Sequence, residues 1–151
     1  MLLNLEMTKY ISIDPGKYKC GFVIADSYKI KVLQAKVILS NSLVKNVKKF
    51  QKSDENIRVI IGNGTSSRDH IKDLGFLKDD LFMAEEKNTT YRAKERFFEI
   101  FPINGIKRYL PREIFIYNLN LDAISAIIIL EDYLKLTFDV DSKVNPKTWI
   151  K

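Results

Sequence analysis

One cysteine and one histidine, Cys20 and His70, are the chain's entire supply of thiol and imidazole groups. That scarcity excludes an internal disulfide, a cysteine-rich zinc site and a histidine-rich metal cluster. Glycine and proline are sparse too, at six and four residues, and 46% of the chain is hydrophobic. Collagen-like, low-complexity and disordered chains are thereby excluded. No apolar run approaches the ~18 residues that a bilayer span requires. The opening residues MLLNLE lack a basic region followed by a long apolar core. No secretory signal is expected, and the reading is a soluble, cytoplasmic protein without membrane partners.

Acidic charge is in the minority, 19 Asp and Glu against 25 Lys and Arg, which leaves a net charge of +6. The imbalance is local. Lys17, Lys19, Lys29, Lys31, Lys36, Lys45, Lys48, Lys49 and Lys52 are opposed between residues 17 and 52 by Asp26 alone. A polyanion such as nucleic acid suits that surface.

The 151 residues suit one domain. Residues 8–14 are apolar and β-prone and end in Asp14-Pro15-Gly16, a strand closed by a turn. Residues 20–26 and 28–39 add two strands, and the short links favour an antiparallel meander. Residues 42–51 place Leu43, Val44, Val47 and Phe50 at helical spacing, with lysines on the other side. Residues 57–61 suit a strand buried on both faces. Residues 66–74 form a helix begun by a capping box, Ser66 with Asp69, and stopped by Gly75. On it His70 faces outward beside Asp69. Residues 80–84 make a last strand and 90–100 a helix. Residues 103–118, broken by Gly105 and Pro111, form a loop with a short helix. Residues 121–136 are apolar on nearly all sides, which predicts a well-buried helix. Residues 139–143 lack the glycine and terminal glutamate of a calcium loop, and Trp149 in the tail either packs on the domain or is disordered. Cys20 is a packed thiol in its strand. The order is that of a single α/β domain with a mixed sheet.

Three carboxylates stand where a site could close. Asp14 ends the first strand at the tight turn, Glu86 follows the strand at 80–84, and Asp122 opens the apolar helix. A buried acid needs a partner or a cation. Three of them from separate elements, without His or Cys, fit an oxygen-only Mg2+ or Mn2+ site.

Ile11-Ser12-Ile13-Asp14-Pro15-Gly16, followed by Lys19, Gly21 and Asp26, resembles the opening of the YqgF/RuvX family of RNase H-like nucleases, roughly G-I-D-P-G-T-K-R-I-G. Glu85-Glu86-Lys87-Asn88-Thr89-Thr90 is similar to that family's D-E-R-L-T-T, and residues 121–134 resemble its closing helix, V-D-A-x-A-A-x-I-I-L-x-x-Y-L. Gly62-Asn63-Gly64-Thr65 departs from the family's pattern and looks instead like the related domain of the transcription accessory protein Tex. Lys17 stands for a small polar residue, and Ser125 stands where RuvC resolvases carry a further acid.

The resemblance implies an RNase H-like α/β domain over residues 1–137 with a C-terminal tail at 138–151. Its sheet would be five-stranded and mixed, flanked by helices, with the meander on one side and Asp14 on a central strand. It implies that Asp14, Glu86 and Asp122 are catalytic ligands of Mg2+ or Mn2+, Asp14 the bridging one. Lys17 and Lys19 would neutralise phosphates, Arg92 would hold the strand, and Asn63 and Thr65 would offer a phosphate-binding turn. The implied activity is metal-dependent cleavage of structured nucleic acid, branched DNA as in Holliday junction resolution or precursor 16S ribosomal RNA. The assembly is compatible with a homodimer. The alternative is a catalytically silent nucleic-acid-binding domain.

Overall fold

The computed structural model describes residues 7–141 and Val144. The readings of the extreme N-terminus and of Trp149 lie outside these residues. Six strands form one mixed sheet in the order β5-β4-β1-β2-β3-β6. The meander is β1 (Lys9–Asp14), β2 (Lys19–Asp26) and β3 (Lys31–Leu39), paired antiparallel throughout. Its register sets Asp14 opposite Gly21 and Lys19 opposite Leu39. β4 (Arg58–Gly62) lies parallel to β1, and β5 (Leu81–Ala84) parallel to β4. Asp14 therefore ends a central strand, and β1, β3, β4 and β5 all finish at the same end of the sheet.

The strand count is six, not five. β6 (Asp139–Val140) pairs in parallel with Lys31 and Val32. Ile30 explains both this and the late start of β3. Its φ of 50° breaks the strand, and its carbonyl accepts the Asp139 N–H at 2.9 Å. Phe138, fully buried, anchors the added strand in the core. Two residues are too few to show a period in sequence.

Helices cover both faces. α1 (Leu43–Ser53) buries Leu43 and Val47, and with α2 (Ser67–Asp73) it covers the face carrying Ile11, Ile13, Phe22 and Ile61. Ser66 does stand at the N-cap of α2, but its side chain makes no capping bond. Gly75 does not end the helical path, which continues as a 3-10 segment over Gly75–Asp80. α5 (Asp122–Leu134) lies on the other face over Val23, Val37 and Ile60. The Ser12 hydroxyl joins it to β1 by donating to the Ala126 carbonyl at 2.7 Å. α3 (Thr89–Ile100) packs on the outside of α5, with Ala93 and Phe97 against Ile124 and Ile128. Sheet on one side and α3 on the other explain why α5 is apolar all round. Between α3 and α5 runs an exposed connection holding a 3-10 turn (Gly105–Tyr109) and the single-turn α4 (Glu113–Ile116). No helix among the described residues is long and apolar enough to cross a membrane.

Candidate acidic site

The C-terminal ends of β1, β4 and β5 and the first turn of α5 meet at one end of the sheet. Asp14 leaves β1 there, and Pro15 and Gly16 turn the chain away. Two donors converge on this turn from elsewhere. The Gly16 carbonyl accepts from Ser40 Oγ at 2.8 Å and from His70 Nε2 at 2.8 Å. Because a carbonyl only accepts, Nε2 carries the proton. Cys20 Sγ lies 3.8 Å from the same nitrogen and 3.5 Å from Ser40 Oγ. His70 is thus buried under the turn rather than outward on α2. The signal was absent locally, since its partner lies 54 residues away. Burial pushes the Cys20 thiol above its ordinary value, against the opposing Ser40 and Gly16 hydrogen bonds. Cys20 is a packed thiol, as expected.

Glu86 is held by the Gly62–Thr65 turn. Asn63 Oδ1 accepts the Glu86 backbone N–H at 3.1 Å, while the Asn63 N–H donates to Ala84 at 2.9 Å. A Cβ at either Gly62 or Gly64 would collide with the Glu86 carboxylate, so both glycines are needed for it to lie against the turn. Burial raises the Glu86 pKa, opposed by the Gly64 N–H. Oε1 is buried with no hydrogen-bond partner.

Asp122 is placed by a second close approach. A Cβ at Gly21 would strike the Asp122 carbonyl, so only glycine lets the start of α5 sit directly on β2. The Asp122 N–H donates to Asn120 Oδ1 at 2.9 Å, and Lys19 Nζ lies 3.7 Å from Asp122 Oδ2.

Two of the carboxylates act on the third. Asp14 is raised from 3.8 to about 7, first by burial and then by the negative charges of Glu86 and Asp122. That is the signature of like charges facing one another out of water. They do not close to ligand distance: among the described residues, no group of three or more His, Cys, Asp and Glu is placed to hold a metal ion as it stands. The donor set nonetheless suits a hard divalent cation. It is all oxygen, carries excess negative charge, and includes a buried carboxylate oxygen that nothing else satisfies.

The other candidates divide. Lys19 joins the acids through Asp122. Lys17 is exposed on the same turn, with its ammonium 5.3 Å from the centre of the Tyr18 ring. Asn63 serves as the strut for Glu86, and Thr65 is exposed beside it. Arg92 is engaged elsewhere. Its guanidinium makes a two-pronged bond to Asp132, at 2.6 and 2.8 Å, that clasps α3 to the far end of α5. Ten residues separate Asp132 from Asp122 along α5, about 15 Å.

No protein-family model matches the chain, and no curated protein matches it either.

Proposed function

We propose that the chain is a divalent-cation-dependent phosphodiester hydrolase acting on structured nucleic acid, built on an RNase H-like fold similar to that of the YqgF/RuvX nucleases. The observation that carries this is the approach of Asp14, Glu86 and Asp122 from three elements, where burial first and then the charges of Glu86 and Asp122 raise Asp14 to about 7. The meander on one side of the sheet and the central place of Asp14 support the fold assignment. The run of lysines in the first third of the chain supports a polyanionic substrate.

Asp14, Glu86 and Asp122 would hold Mg2+ or Mn2+, which when bound supplies an activated water and neutralises the leaving oxygen in phosphodiester hydrolysis. The chain's own residues do the positioning. The Gly16 carbonyl, fixed by Ser40 and His70, sets the direction of the turn behind Asp14. The Gly62–Thr65 turn fixes Glu86, and the contact of Gly21 with α5 fixes Asp122. Lys19 brings a positive charge to the rim where a phosphate would approach.

Mn2+-dependent cleavage of branched DNA and precursor ribosomal RNA is the direct test. Wild type should cleave at least one of them. Asp14→Asn and Asp122→Asn should be inactive yet folded, and Asp132→Asn should remain active. Equal activity in wild type and Asp14→Asn would falsify the mechanism. The ion pair of Lys19 with Asp122 and the spread of the acids support a second reading, a silent nucleic-acid-binding domain. Binding without cleavage by every sample would select it.

A further inference from the structure

We infer that the outer face of α1 is a rail for the phosphate backbone of a nucleic-acid duplex, leading away from the acidic site along one flank of the sheet. The inference deepens the proposed function and rests on its nucleic-acid half alone.

The rail starts at the rim of the acids. β3 ends at Leu39 opposite Lys19, and the next residue, Ser40, donates to the Gly16 carbonyl behind Asp14. From there α1 runs back along the sheet, burying Leu43 and Val47. Its outer side is a shallow groove of about 860 Å3 whose lining includes Asn41, Ser42, Lys45, Lys48, Lys49 and Lys52. Lys45 to Lys52 follow the i, i+3, i+4, i+7 spacing of one helix face, a row about 10 Å long. No acid occurs between Asp26 and Asp54.

The crowding of charge points to an anion. Lys36, on β3, is lowered by burial and then by the charge of Lys49. The Lys49 charge adds to the cost of burying Lys36, and an anion beside the two would offset it. Among the described residues, the lining of the groove holds no aromatic ring, and the rings beside it, Phe50 and the partly exposed Phe76, carry lysines. Lys48 sits 4.9 Å from the centre of the Phe76 ring, and Lys36 and Lys49 sit 5.6 and 5.8 Å from that of Phe50. With no ring in its lining for unpaired bases, the groove offers phosphate and sugar contacts, which suits a duplex whose bases are stacked inside. The opposite flank does not repeat the pattern. There Lys87 faces Glu85, and Arg92 faces Asp132.

The test is the salt dependence of duplex binding, measured by fluorescence anisotropy in EDTA so that cleavage plays no part. A variant with Lys45, Lys48, Lys49 and Lys52 all changed to Gln is compared with one carrying the same change at Lys78, Lys94, Lys107 and Lys135, which alters net charge equally. The rail variant should lose about 3–4 from the slope of log affinity against log salt, at ~0.9 per phosphate contact. The control should keep a slope close to wild type. Gln preserves helix propensity, and removing the repulsion at Lys36 should leave the thermal midpoint unchanged or higher. Should the fourfold variant misfold, the Lys45→Gln/Lys52→Gln pair should lose about half that slope. Equal loss in both fourfold variants, an unchanged rail variant, or a larger loss on single strands than on duplex overturns the rail. Absence of duplex binding by wild type at low salt overturns both the rail and the proposed substrate. A rail effect without Mn2+-dependent cleavage keeps the rail and removes the nuclease.

Discussion

At Asp14 the fold works against the charge it carries. In the unfolded chain this carboxyl ionises at its ordinary 3.8, whereas in the folded chain it does so at about 7. The folded state therefore binds the extra proton between those values, and stability must fall as pH rises through that window. Fully ionised, the penalty amounts to roughly 4 kcal/mol. Glu86 is raised by its own burial, so it adds to the loss in the same direction. Asp14→Asn removes the titration. In cation-free buffer the wild type should lose stability between acid and neutral pH, and the variant should lose much less, as read by urea unfolding at a series of pH values. A parallel pH profile in the two proteins would remove the charge crowding from the account. Gly64 makes a separate prediction. Gly64→Ala sets a methyl against the end of the flexible Glu86 side chain, which must move. Cleavage should drop as far as in Glu86→Gln, while stability should change by no more than about 1 kcal/mol. An active Gly64→Ala protein would show that Glu86 need not lie against the turn.

Among the elements, the pairing of α3 with α5 separates structure from chemistry. Arg92 and Asp132 are each about two-fifths and one-third exposed, so their two-pronged bond is worth about 0.5–1 kcal/mol in water. A double-mutant cycle with Arg92→Ala and Asp132→Asn, followed by denaturant unfolding, should return a coupling of that size and unchanged nucleic-acid affinity. Weakened duplex binding in Arg92→Ala alone would assign it the strand-holding role that the resemblance implied. The same pair shows what the sequence could not reveal about Arg92. A helix pattern tells which residues share a face, but not which distant helix will meet it, and Asp132 lies 40 residues on. His70 is the parallel case, bonded to a carbonyl that no side-chain pattern reveals. By contrast Asp14 was legible, because an apolar strand and an Asp-Pro-Gly turn are both local signals. Asn88, which stands where the pattern D-E-R-L-T-T has leucine, has a local reason too. It adopts φ 53° before α3, a backbone region where asparagine is at ease and leucine is not. Gly21 could have been found by asking why a strand interior lacks a side chain.

For the whole molecule, a divalent cation should act as a folding ligand. Relief of the repulsion among the acids, with binding confined to the folded chain, raises stability by about 2.7 kcal/mol when the ion is at 100 times its dissociation constant. Mn2+ titrated into the wild type should raise the thermal midpoint, and the rise should vanish in Asp14→Asn. A midpoint indifferent to Mn2+ and Mg2+ would turn the acids into a structural oddity. The meander, the alternation that follows it and the end of the sheet where the acids gather were all legible in sequence, because they follow from strand pattern and turn chemistry. The sixth strand was not, because Asp139–Val140 is fixed by the backbone at Ile30 and by burial of Phe138.

The direct contact of α5 with β2 at Gly21 also bears on what this chain could become. Asp122 is located by its own helix lying on the sheet and by Asn120 just before it, so the exposed part of the connection, residues 104 to 114, transmits no measurement to the acids. Doubling the length of such a connection costs only about 0.6 kcal/mol in closure entropy. Insertions there would be inherited almost freely, and a lineage could exchange this surface for another without touching the spacing of its three carboxylates.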